Sequence, residues 1–171
     1  RSVMGVDMAH SERTINSIIW RLTGGLFIIF LVVFDHWTKG LALVRLRSGD
    51  LDLIPGILKL HYLQNTGAAF SMLENQQWLF TLVTFLVIGG AVYYLIKHLS
   101  ASKWMLAGLT LVIAGGLGNF IDRIRQGFVV DMFQLDFINF AIFNVADMYL
   151  TFGVAILLLM ILKEEKDGSK N

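Results

Sequence analysis

The chain has 171 residues, 56% of them hydrophobic and only 16% charged, with a mean hydropathy of +0.65 and a formal net charge of +1. Soluble domains carry about 25% charged residues, so this is the composition of a membrane protein. The balanced charge offers no field for nucleic acid, and the absence of Cys excludes disulfides, thiolate metal sites and cysteine nucleophiles.

Crossing a hydrocarbon core of about 30 Å takes about 20 mostly apolar residues. Four such runs predict four transmembrane helices, near Ile18–Trp37, Trp78–Ile96, Trp104–Ile121 and Phe140–Leu162. Residues 1–10 do not begin with Met and are expected to be partly extraneous or disordered, with Met4 or Met8 as alternative starts. The first run is longer than a signal-peptide core and has no small-residue cleavage site behind it, so it reads as a retained helix. Trp20, Trp37, Trp78 and Trp104 lie at or near the ends of runs, where indoles favour the lipid–water interface.

Two longer loops separate the runs. In the first, about 38–77, GDLDLIPGILKLHYLQ alternates apolar residues around Pro55-Gly56 and predicts a β hairpin. In the second, about 122–139, Phe133, Phe137 and Phe140 recur at i, i+4, i+7 and predict a short interfacial helix. Residues 163–171 form a charged tail. An even number of spans puts both termini on one side. That side carries eight Lys and Arg against six on the other, so the positive-inside rule places the termini in the cytoplasm. The expected fold is an all-α membrane protein, one domain over residues 1–171, with four transmembrane helices, a small extracytoplasmic β cradle and an interfacial helix.

Polar residues gather toward one end of the spans. A carboxylate within a span is costly, so Asp147 marks either a hydrogen bond that joins helices or a functional group. If the fourth helix starts near Phe140, a rise of about 1.5 Å per residue puts Asp147 about 10 Å below the surface, with Asn144 on the same helix face. Asp131 follows the apolar GFVV, which can bury it. Two close carboxylates share one proton, so one can deprotonate water while the other protonates the reacting amide. Asp35 and Lys39, at i, i+4, read as a helix-end pair, and Asp122-Arg123 either as an ion pair pinning a loop or as a substrate-positioning group. The pairs Gly24-Gly25, Gly89-Gly90 and Gly115-Gly116 read as sites of close helix packing. The four His are scattered without metal-ligand spacing. A proton path or transporter would need polar groups through the whole bilayer depth, and few lie there beyond Thr81, Thr84 and Thr110.

The stretches DHWTKG (Asp35–Gly40), NTGAAFS (Asn65–Ser71), GNFIDRIRQGFVVDMF (Gly118–Phe133) and FNVADMYL (Phe143–Leu150) together resemble the lipoprotein signal peptidase family, also called signal peptidase II, the membrane aspartyl peptidases of bacteria. The resemblance implies that Asp131 and Asp147 form a catalytic dyad, that Asn65, Asn119, Asp122, Arg123 and Asn144 support or line the site together with Asp35 and Lys39, and that no metal or cofactor takes part. It implies a monomer in the bacterial inner membrane, with cytoplasmic termini and an active site at the outer leaflet. The implied partners are membrane lipid and prolipoproteins whose lipobox Cys carries diacylglycerol, cleaved just before that Cys, with globomycin as an expected inhibitor. His36 stands where the family often has Gln, and Met132 where Phe often follows the Asp; both bear on substrate fit.

Overall fold

A computed structural model describes residues 3–67, 77–97 and 102–168, in the order α1 (Val3–Arg45), β1 (Leu51–Ile54), β2 (Leu58–Asn65), α2 (Gln77–Lys97), α3 (Lys103–Gln126), β3 (Val129–Leu135) and α4 (Val145–Gly168). The later part of the NTGAAFS motif and the loop after Lys97 lie outside the described residues. Among the described residues three stretches are long and apolar enough to cross a membrane: Leu22–Arg45, Lys103–Gln126 and Val145–Lys163. The apolar part of α2, Thr81–Lys97, is shorter.

Helix α1 starts at Val3, inside the stretch expected to be extraneous or disordered, and runs two turns beyond the expected end at Trp37. It ends at Arg45, and the chain turns through residues 46–48 to Gly49, whose φ of 135° is one that side chains rarely adopt. Helix α3 is capped at both ends. The Ser102 hydroxyl accepts the Met105 N–H, and Gly127, at φ 77°, donates its N–H to the Arg123 carbonyl.

Helix α3 is the central element, with 61% of its apolar window buried against 22% in α1 and 17% in α4. Ala91, Leu109 and Ile113 form its core with flanking Ile28, Ile88 and Leu157, which joins all four helices. Small residues permit the approach of α4: a Cβ on Gly115 would strike the Ala146 carbonyl and Leu150. Gly116 is similarly crowded by Ile88, whereas Gly24, Gly25, Gly89 and Gly90 have nothing within 4 Å. Of the three glycine pairs, only the one on the central helix serves close packing.

The hairpin forms as its alternation predicts, turning at Pro55-Gly56 with φ 73° at Gly56. The predicted interfacial helix does not form. Residues 129–135 are instead a third strand, antiparallel to β2 in the order β1-β2-β3, followed by irregular chain to Asn144. The reason is non-local: β2 offers an open edge, and VVDMFQL alternates so that Val130 and Met132 pack on Ala42 and Leu46 of α1. Phe137 and Phe140, the other members of the aromatic stripe, stay exposed. Phe143 then pairs with Phe133 on the far edge of β3, delivering the chain into α4 beside Asp131.

Candidate active site

Period-two alternation places Asp131 on the face of β3 opposite Met132. Its cross-strand partner is Leu63, while Asn65 faces Val129, two residues away on the same face. That register lets Asn65 Nδ2 donate to Asp131 Oδ2 at 2.8 Å.

Helix α4 begins at Val145 rather than near Phe140, so Asp147 lies in the first turn and not two turns down. Asn144 is the cap of the helix rather than a member of its face. Its Oδ1 accepts the Asp147 N–H at 2.9 Å, and Asp147 Oδ2 accepts the Asn144 N–H at 3.0 Å, a mutual capping pair. The helix dipole adds positive potential at that end.

Three asparagines present their amides in the same way. Each carbonyl oxygen is taken by a donor that cannot accept, which turns the amide NH2 toward a carboxylate. Asn65 Oδ1 accepts the Gly67 N–H at 2.9 Å. Asn144 Oδ1 accepts the Asp147 N–H, and its Nδ2 donates to Asp131 Oδ1 at 2.6 Å. Asn119 Oδ1 accepts Lys39 Nζ at 3.0 Å, and its Nδ2 donates to Asp147 Oδ1 at 2.7 Å. Asn144 Nδ2 also reaches Asn119 Oδ1 at 3.1 Å, closing the network.

Asp35 and Lys39 are not a helix-end pair. Both are buried within α1, and Lys39 Nζ bridges Asp35 Oδ2 at 2.8 Å, Asp122 Oδ2 at 2.9 Å and Asn119. Asp35 Oδ1 in turn accepts the Ala146 N–H at 2.9 Å, tying α1 to the first turn of α4. Asp122 thus pairs with Lys39 on α1, and it also interacts electrostatically with Arg123 beside it. Arg123, four residues beyond Asn119 on α3, lines the cavity and interacts electrostatically with Asp147 and Asp131. The i, i+4 spacing of Asp35 and Lys39 was visible in the sequence, but its reach to α3 was not.

The cavity has a volume of about 550 Å³, and Asp131, Asp147, Asn65, Asn119 and Arg123 are among its lining residues. Phe140, Ile142, Phe143, Met148, Leu150 and Phe152 supply an apolar wall that the sequence reading did not assign to the site. Burial, and next the charge of Asp147, push Asp131 up to about 7, although the Asn65 and Asn144 hydrogen bonds oppose the shift. Near neutral pH Asp131 can thus hold and give a proton in the cavity it shares with Asp147.

The family model for signal peptidase (SPase) II matches residues 27–163. The chain is 57% identical to the lipoprotein signal peptidase of Streptococcus pneumoniae over 143 residues, covering 83% of this chain and 94% of that protein. The corresponding enzyme of Streptococcus agalactiae serotype V is 54% identical over 144 residues, 84% of this chain and 94% of its own. A bacterial membrane enzyme structure obtained by the in meso method superposes with a TM-score of 0.79 at 33% identity, over 85% of this chain and 90% of that one. The chain belongs to the signal peptidase II family.

Proposed function

We propose that the protein is an aspartyl endopeptidase that removes signal peptides from lipid-modified prolipoproteins, cleaving before the diacylglyceryl-Cys, with Asp131 and Asp147 as its catalytic dyad. The observation that carries this is the convergence of two carboxylates on one cavity, each held by its own asparagine donor and both by Asn144.

Asp131 holds the shared proton and Asp147 is the base. Asp147 takes a proton from water as the oxygen attacks the scissile carbonyl, and Asp131 protonates the carbonyl oxygen, giving a neutral gem-diol. Asp147 then passes its proton to the amide nitrogen as the C–N bond breaks, while Asp131 recovers a proton from the gem-diol. The pair returns to its starting state without a metal or a covalent intermediate. Arg123 helps orient the reacting carbonyl, and the Lys39, Asp35 and Asp122 cluster keeps Asn119 aimed at Asp147.

The apolar wall suits a lipid-anchored peptide entering from the bilayer. In this reading all four helices span the inner membrane, the termini are cytoplasmic, and the sheet lies at the outer leaflet. The test is cleavage of a diacylglyceryl-modified lipobox peptide by the purified protein. Asp131→Asn and Asp147→Asn are each expected to lower turnover at least about 10³-fold; near wild-type turnover in either would overturn the dyad.

A further inference from the structure

A second cavity, of about 570 Å³, lies between the last turns of α1 and the sheet and shares no lining residue with the first. Its buried residues are Ala42, Leu46 and Met132, and Leu41, Leu51 and Leu53 are its half-exposed walls. Two charged residues line it, Asp50 and Arg45. Asp50 is engaged, with Oδ1 2.8 Å from His61 Nδ1. Arg45 has no ion-pair or side-chain hydrogen-bond partner among the described residues, and neither has the neighbouring Arg47. An apolar cavity therefore carries an exposed cation that forms no ion pair among the described residues, with Asp50, held by His61, as its other charged lining residue.

The surroundings say what reaches it. Trp37, Leu41 and Val44 follow one another at i, i+4, i+7 on the exposed side of α1, at 57%, 40% and 69% exposure, so the apolar surface of this span continues toward the cavity. Arg45 is the last residue of the apolar span Leu22–Arg45, where the end of a membrane helix meets headgroups rather than acyl chains. The hairpin adds exposed Ile54 and Ile57 at its turn.

We propose that this cavity binds an anionic phospholipid of the adjacent leaflet, with an acyl chain between Leu41 and Leu53 and the phosphate on Arg45. A free phosphate would leave the apolar walls unused. A zwitterionic headgroup would bring its own cation up to Arg45 and Arg47, and a diacylglyceryl thioether carries no phosphate for them. The site stands apart from the peptidase chemistry, so either reading can fail without the other.

The experiment is native mass spectrometry of the full chain in detergent with equal phosphatidylglycerol and phosphatidylcholine of matched acyl chains. One phosphatidylglycerol should be retained with about a fivefold preference, the size expected for one basic residue at a membrane surface. Arg45→Gln should abolish the preference and Arg45→Lys restore it, with peptide cleavage unchanged in both. Leu53→Trp, which fills the cavity, should reduce retention of both lipids. Equal retention of the two lipids, or a preference that survives Arg45→Gln, would overturn the proposal. Stoichiometric displacement of phosphatidylglycerol by a diacylglyceryl-Cys peptide would assign the cavity to substrate instead and also overturn it.

Discussion

Asn144 and Asp147 hold each other in place: side-chain oxygen to backbone N–H in one direction at 2.9 Å, and backbone N–H to carboxylate in the other at 3.0 Å. The same Asn144 donates its amide to Asp131. One residue thus starts helix α4, positions one carboxylate and ties down the other, so helix initiation and site geometry are a single event.

The two roles of Asn144 separate by substitution. Asn144→Ala removes both cap and donor and should cost about 1–2 kcal/mol, read as a lower melting temperature, together with about a 100-fold fall in turnover. Asn144→Ser keeps a capping oxygen but no amide. It should recover most of the melting temperature and little of the activity.

The pH dependence follows from Asp131. In the proposed mechanism the dyad needs its proton, and Asp131, lifted to about 7, gives it up as pH rises, so kcat/KM should fall above about pH 7. The Asn65 hydrogen bond favours the charged form, so Asn65→Ala should move this limb to higher pH. Stability carries the same sign. Because folding raises the value from 3.8, its contribution is complete below about pH 4 and is lost as pH climbs toward 7. Thermal melts of wild type between pH 4 and 8, compared with a profile of cleavage rate, test both.

Lys39 neutralises two buried carboxylates. Lys39→Met takes away the cation that Asp35 and Asp122 share in the core and leaves the more distant His36 ring between them, a loss of about 3–5 kcal/mol. It also frees the Asn119 amide to rotate away from Asp147. A large drop in melting temperature, with activity lost even below the unfolding transition, is the expected pair of readings.

Two glycines give opposite outcomes. A Cβ at Gly118 would lie 2.6 Å from Asp35 Oδ2 and 3.1 Å from the Ala146 methyl, so Gly118→Ala must displace the contact between α1 and α4 at a cost of about 1–3 kcal/mol. Gly24→Ala meets nothing within 4 Å and should be neutral or stabilise the helix by up to about 1 kcal/mol. Melting temperatures of the two variants in one detergent decide it.

Much of this was legible along the chain. The four helices appear as apolar runs and the hairpin as alternation around Pro55-Gly56, because length and period are local properties of a sequence. The polar residues singled out there, Asp35, Lys39, Asn65, Asn119, Asp122, Arg123, Asp131, Asn144 and Asp147, all meet around one network. The failures were of one kind. The aromatic spacing from Phe133 to Phe140 fits a helix, but an open strand edge is a stronger offer than a weak amphipathic stripe. The apolar run before Val145 resembles the start of a span, but pairing of Phe143 with Phe133 holds that segment extended until Asn144 can cap.

By itself, then, the amino-acid order determined which segments seek lipid and which residues are too polar to lie there without a purpose. Only the tertiary structure decided what those residues do to one another. Asp35 reaches the Ala146 N–H across 111 positions, and Lys39 reaches Asn119 across 80. Such contacts depend on the register of β2 on β3 and the closeness of α3 to α4, and a hydrogen bond has direction only once both partners are in place.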